Sequence, residues 1–220
     1  MSVRDPVPAM SAALKGAQIY FGPFLVTSQV RYSPTHYRQT KTKRLTARKV
    51  FHVTPLSFAL VNLKPILPGH VLVSPRRRVP RVADLTAAET TDLFLTVQRV
   101  GKMVERVYGA SSLNIAVQDG PEAGQSVAHV HAHIIPRKRA DLDHRGGTDA
   151  VYDLLDGEEG DLRRVFLEEK GAQDGQGEGE RRPRAKFPAV DNERRSPRSM
   201  EEMEAEAEML AREMEREVVE

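Results

Sequence analysis

Residues 129–135 read His129-Val130-His131-Ala132-His133-Ile134-Ile135, and the alternation of imidazoles with apolar side chains has the period of a β-strand. In an extended chain successive side chains point to opposite faces, so the three histidines share one face and Val130, Ala132 and Ile134 the other. The apolar set is expected to pack into a core, leaving three imidazoles along an exposed or cleft surface. From spacing alone three readings stand: ligands of a zinc ion, one imidazole acting as a nucleophile toward phosphorus with its neighbours orienting it, or histidines hydrogen-bonded structurally along a sheet edge. No Asp or Glu lies between Gly124 and Arg139 to serve locally as the carboxylate partner of a metal-bound histidine. Upstream, Gly120-Pro121-Glu122-Ala123-Gly124-Gln125-Ser126 offers backbone N–H groups, an amide and a hydroxyl, the components of a phosphate cradle. Arg137, Lys138 and Arg139 follow directly; they would add positive potential, or simply face solvent.

Working outward, Ser57-Phe58-Ala59-Leu60-Val61 and Val71-Leu72-Val73 are short runs of strand formers separated by Lys64-Pro65-Ile66-Leu67-Pro68-Gly69, which predicts a hairpin. From Thr86 the period lengthens: Leu93, Val97, Val100, Val104 and Val107 recur on one helical face. Thr86 with Glu89 three residues later is a capping-box start, and Tyr108-Gly109 is a stop. Leu113 to Gln118 then alternates as a strand. Hairpin, helix, strand, loop and strand describe a compact α+β domain with a mostly antiparallel sheet.

The whole chain has 220 residues, enough for one domain with appendages. Its net charge of +2 hides a polarised distribution: 20 basic against 7 acidic residues up to Ala140, and 13 against 24 after it. The absence of cysteine excludes a disulfide scaffold, thiolate zinc ligands and a cysteine nucleophile. Mean hydropathy is −0.47, and no apolar run approaches the ~18 residues of a membrane span. No membrane partner is expected, nor a secretory signal; a weak organelle-targeting segment is the lesser alternative. Residues 1–18 read as a flexible N-terminus. Residues 31–49, with Arg31, Arg38, Lys41, Lys43, Arg44, Arg48 and Lys49, read as a solvated basic insertion, with a nucleic-acid contact or nuclear-import signal as the alternative. Residues 156–198 have the mixed-charge composition of a disordered linker, most clearly from Gly171 to Pro197. Within 199–220, Met203, Ala207, Leu210 and Met214 predict an amphipathic helix that must dock on the domain to be stable.

The His-x-His-x-His-x-x run resembles the signature of the histidine triad superfamily. Three longer segments are similar to its Fhit-like branch of dinucleoside polyphosphate hydrolases: Ser57 to Pro75 (SFALVNLKPILPGHVLVSP), Asp92 to Glu105 (DLFLTVQRVGKMVE) and Gln118 to Lys138 (QDGPEAGQSVAHVHAHIIPRK). The resemblance implies a HIT-like α+β fold, with a sheet of about five strands, a long helix and a C-terminal helix, in a catalytic domain over 19–155. It further implies hydrolysis of diadenosine triphosphate to AMP and ADP through a covalent nucleotidyl-histidine. On that mapping His131 is the nucleophile, His133 and Gln118 contact the α-phosphate, and His129 orients His131 and lines the site. Gly124, Gln125, Ser126 and Val127 match a phosphate-binding turn, Asn62 a nucleoside contact, and His70 a supporting position on a neighbouring strand.

The resemblance implies no tightly bound cofactor and no protein metal site. A divalent cation, Mg²⁺ or Mn²⁺, is expected to accompany the nucleotide. A homodimer is expected, in the cytoplasm, with the nucleus as a further location. Phe24 departs from the family pattern, standing where a polar residue often contacts base or ribose, so nucleoside preference is open. Tyr152 matches a tyrosine near the mouth of the family's site. Three other readings stay beside the leading one: an adenosine phosphoramidase of the same superfamily, a signalling module in which the bound dinucleotide is the message, and nucleic-acid processing through the basic insertion.

Overall fold

In the computed structural model, residues 19–22, 24–25, 49–125, 127–155 and 198–217 are described. Five strands form one antiparallel sheet: β3 (Val50–Val53), β4 (Ser57–Val61), β5 (Val71–Pro75), β6 (Ser112–Val117) and β7 (Ala132–Arg137), in the spatial order β3-β4-β5-β7-β6. A separate two-stranded ladder joins β1 (Tyr20–Phe21) to β2 (Phe24–Leu25). The hairpin expected from Ser57 and Val71 is β4-β5, in register from Ser57 opposite Pro75 to Val61 opposite Val71. Gly69 permits its return: its φ is +87°, and an added Cβ would sit 2.6 Å from the Tyr108 ring.

Helix α1 (Ala87–Tyr108) begins and ends where its sequence directs. Thr86 accepts from the Glu89 amide, Glu89 accepts from the Thr86 amide, and Gly109 closes the last turn in the left-handed region. Arg77 grips Glu89 through two bonds of 2.7 Å and, with the capping hydrogen bonds, holds its carboxyl down to about 2. The predicted apolar face is buried at Leu93, Val97, Val100 and Val104, and Met103 joins it. Helix α2 (Met200–Met214) starts with a second capping box, Ser199 with Glu202, and buries Met203, Ala207, Leu210 and Met214 as its period predicts.

Both helices lie on one face of the sheet, closing a core with Ala59, Val61, Val71, Val73, Val130, Ala132 and Ile134. On the opposite face, Ile19, Phe21, Val50, Phe58, Leu60, Leu72 and Val127 cover one half, and Ile66, Ile135, Leu142, Ala150, Val151, Leu154 and Leu155 the other. With both faces covered, β4, β5 and β7 are buried throughout.

α2 is fastened along its length. Arg198 donates to the Asn62 carbonyl and to Glu206, and Tyr108 donates to Glu206 at 2.6 Å. Arg106 pairs with Glu213 and Glu217, and Arg99 caps the carbonyls of Met214 and Glu217.

Two expectations change. The strand expected to begin at His129 begins at Ala132, because the Val130 amide donates to the Val79 carbonyl at 2.7 Å instead of joining the ladder. Lys49, read as part of a solvated insertion, is 3% exposed where the chain enters β3. The remainder of the basic stretch, the N-terminal residues 1–18, and residues 156–197 lie outside the described residues. No described helix is long and apolar enough to cross a membrane.

Leu210 is wholly buried between α2 and the sheet face. Leu210→Ala is expected to cost about 2–5 kcal/mol, read as a lower denaturant midpoint at unchanged slope. A cost below about 0.5 kcal/mol would mean that α2 is not part of the core.

Candidate active site

The three histidines come together on the sheet face away from the helices. His133 stands in β7 opposite Leu72 of β5 and Ala116 of β6, while His129 and His131 sit in the bend just before the strand. Alternation survives the loss of ladder pairing, since Val130, Ala132 and Ile134 all enter the helix-side core. The rings are not exposed, however: His129, His131, His133 and the neighbouring His70 are each 0% exposed. The N-terminal segment covers them. Phe21 stacks on His129 with centroids 5.7 Å apart and meets His131 edge-on at 5.1 Å.

Burial makes every ring nitrogen a commitment, and the partners assign the protons. The Gly22 amide donates to Nδ1 of His129 at 2.9 Å, so the proton of the neutral ring is on Nε2, which donates to the Pro75 carbonyl at 2.8 Å. Both nitrogens of His129 are thus spent on backbone groups. Burial also drives its pKa down to about 4, so it stays neutral.

Nδ1 of His131 lies 2.7 Å from the carbonyl of His129, and only a protonated nitrogen can bond there. In the neutral ring Nε2 of His131 then holds the lone pair. For His133 the relay runs the other way. The Ile66 amide donates to Nδ1 of His70 at 3.2 Å, which leaves the His70 proton on Nε2, 3.0 Å from Nδ1 of His133. Accepting at Nδ1 puts the His133 proton on Nε2. The rings of His131 and His133 are 5.1 Å apart, so a nucleophilic nitrogen and an N–H donor stand side by side. This arrangement suits attack on an anionic phosphorus centre: one ring supplies electrons and the next stabilises the oxygens.

Asn62 joins the same network: its Nδ2 lies 3.4 Å from Nδ1 of His70, the nitrogen that holds the lone pair, and its Oδ1 accepts from the Lys64 amide. Next to it a recess is lined by Phe21, Lys49, Leu60, Val61, Leu63 and Leu72. Gln118 follows β6, and its Oε1 is buried with no hydrogen-bond partner among the described residues.

Two residues of the turn expected to cradle phosphate, Gly124 and Gln125, engage their amides within it. The amides of Gly124 and Gln125 donate back to Pro121 and Gly120 at 3.1 and 3.0 Å, and the Gln125 side chain donates to the Pro80 carbonyl at 3.0 Å. These groups shape the turn and do not face outward as free donors, because a tight 3₁₀ turn consumes its own amides. Val127 contributes a buried side chain, and Ser126 lies outside the described residues. Among the described residues no group of three His, Asp or Glu side chains is disposed to hold a metal ion. Tyr152 is 60% exposed, and the side chain of Phe24 is outside the description.

Sequence reasoning missed the backbone partners: the Gly22 and Ile66 amides and the Pro75 carbonyl. Backbone groups have no side-chain signature. Phe21 carried a weak signal, standing beside Gly22 in a short apolar run.

A HIT domain model matches residues 43–140. The chain is 46% identical over 196 residues to a bis(5'-nucleosyl)-tetraphosphatase [asymmetrical] of Schizosaccharomyces pombe, covering 88% of this chain and 92% of that one. It is 43% identical over 160 residues to a bis(5'-adenosyl)-triphosphatase of Dictyostelium discoideum, covering 69% and 95%. Among solved structures it resembles that of Plasmodium falciparum diadenosine triphosphate hydrolase in complex with cyclomarin A, at 30% identity, 71% and 90% coverage and a TM-score of 0.47.

His52 on β3 is held neutral by burial in the same way as His129, also at about 4. Both depressed values fix the sign of the pH dependence: unfolding exposes imidazoles of ordinary pKa near 6.5, so the unfolded chain takes up protons first as pH falls. Stability contributed by the two rings is complete above about pH 6.5 and is lost progressively toward pH 4. The melting temperature is expected to fall across that interval, and less steeply in His52→Gln; a profile equally steep in both would contradict the assignment for His52.

Proposed function

Because the chain belongs to the HIT domain family, we propose that it is a hydrolase that cleaves diadenosine triphosphate to AMP and ADP through a nucleotidyl-histidine at His131. The proton relay carries this reading: it leaves the lone pair of His131 on Nε2 and a donor on Nε2 of His133. In the first step Nε2 of His131 attacks the α-phosphorus. The bond to the bridging oxygen breaks, and its electron pair leaves with ADP. In the second step water attacks the same phosphorus, gives up a proton, and the P–N bond breaks to release AMP and restore His131. The positive charge that Nδ1 shares during the adduct is stabilised by the His129 carbonyl.

The remaining assignments follow the same geometry. His133 donates to an α-phosphate oxygen. Gln118 turns its amide so that Nε2 does likewise, which answers the unpartnered polar atom at that position. His129 acts on His131 through its carbonyl, which its ring anchors to Gly22 and Pro75, and does not touch the substrate, and His70 sets the His133 proton. Asn62 contacts the nucleoside from the edge of the recess lined by Phe21, Leu60 and Leu72. A divalent cation, Mg²⁺ or Mn²⁺, travels with the nucleotide.

The reading extends to assembly. The edge strand β6 is half-exposed, Ile115 on it is 50% exposed, and Phe94 on α1 is 47% exposed. Phe94 lies two helical turns before Gly101, the residue against which Leu113 of β6 packs. An edge strand with no further partner strand among the described residues, beside apolar side chains, supports a homodimer formed by strand and helix pairing. The protein is assigned to the cytoplasm, with the nucleus as a second location.

His131→Asn is expected to lower hydrolysis of diadenosine triphosphate by roughly 10³-fold or more while leaving the fold intact. Brief mixing of the wild-type protein with that substrate is expected to leave AMP on His131, seen by mass spectrometry. Full activity in a folded His131→Asn protein would sink the mechanism.

A further inference from the structure

The four arginines of the segment after β5 have different fates. Arg76 donates to the Pro55 carbonyl, Arg77 is paired with Glu89, and Arg81 is paired with Asp119. Arg78 is exposed and has no hydrogen bond or salt bridge among the described residues. Its backbone, by contrast, is pinned on both sides to the site. Pro75, three residues before it, accepts from the His129 ring at 2.8 Å. Val79, directly after it, accepts from the Val130 amide at 2.7 Å, and Pro80 accepts from the Gln125 side chain at 3.0 Å. The base of Arg78 is therefore fixed where the histidine run meets the turn at 120–125, and its guanidinium is the uncommitted cation of that rim segment. Its charge is felt at the His129 ring, where it adds to burial in disfavouring protonation.

An exposed, unpaired guanidinium held at the rim of a phosphate-cleaving site has one evident ligand chemistry, a phosphate oxygen. The α-phosphate already has His133 and Gln118 as donors. A polyphosphate attacked at its α-phosphorus must run its remaining phosphates outward from those rings. From this geometry we infer that Arg78 is a specificity-determining residue that binds the phosphates on the leaving-group side of the scissile bond, and so favours longer polyphosphate chains. A tetraphosphate presents one more anionic group to it than a triphosphate does. The inference rests on the hydrolase reading and adds to it a subsite and a direction of chain-length preference.

The test compares wild type, Arg78→Ala, Arg78→Lys and Arg78→Glu on three substrates: diadenosine tetraphosphate, diadenosine triphosphate, and an AMP ester of p-nitrophenol, whose leaving group has no phosphate. Arg78→Ala is expected to raise KM for the tetraphosphate roughly tenfold and for the triphosphate about threefold, with kcat nearly unchanged and the ester unaffected. Arg78→Lys should recover part of the loss, and Arg78→Glu should deepen it. The difference between Arg78→Ala and wild type should shrink at high salt, because the side chain is exposed. Equal loss on all three substrates, or no change in the ratio of tetraphosphate to triphosphate KM, overturns the subsite while leaving the hydrolase reading standing. If the wild-type protein turns over none of the three, the hydrolase reading falls and the subsite falls with it.

Discussion

A hydrogen bond of 2.7 Å, from Nδ1 of His131 to the backbone carbonyl of His129, decides which nitrogen of the central ring holds a lone pair. A histidine free in water exchanges between tautomers, and only one of them presents Nε2 as a nucleophile. Here the choice is made by a carbonyl that cannot move without moving the bend at 127–131. That bend is tied by the Val130 amide to Val79, by the Val130 carbonyl to Ser74, and by the His129 ring to Gly22 and Pro75. The chemistry of one nitrogen thus depends on groups contributed by two other parts of the chain, Gly22 and the stretch from Ser74 to Val79.

Burial is the second constraint. Burying four imidazoles disfavours a charge on any of them and makes hydrogen-bond partners for their ring nitrogens valuable. Backbone groups on either side of β5 serve two of these rings: the Pro75 carbonyl at its end accepts from His129, and the Ile66 amide in the β4-β5 connection donates to His70. Helix-side packing of Val130, Ala132 and Ile134 fixes the rings to the other face, and Phe21 closes over them. The apolar core and the polar site are two sides of one short segment. α2 is joined to this arrangement through Arg198, whose bond to the Asn62 carbonyl links the last helix to the residue beside His70.

Much of this was legible from periodicity. The 3.6-residue spacing from Leu93 to Val107, with Thr86, Glu89 and Gly109 at its ends, describes α1 because helix signals are local. The same holds for Met203 to Met214 in α2. The alternation at 129–135 correctly divided the faces but could not show where ladder pairing begins, since that is decided by Val79, distant in sequence. It left an exposed and a cleft setting for the histidines equally open; their enclosure depends on Phe21, more than a hundred residues earlier. The turn at 120–125 advertised donors that it spends on itself, and Lys49, last of a basic run, is buried by the strand it precedes. Composition reports the groups a segment carries, and only tertiary contacts decide which of them remain available.

The most direct measurement is of the imidazole protons themselves, by long-range ¹H–¹⁵N correlation spectroscopy of the ¹⁵N-histidine protein at neutral pH. The hydrogen bonds require His129, His70 and His133 to carry their protons on Nε2, and His131 alone of these four on Nδ1. That pattern is the result predicted. A proton on Nε2 of His131 would place the lone pair on the nitrogen facing a carbonyl, and would contradict its assignment as the nucleophile.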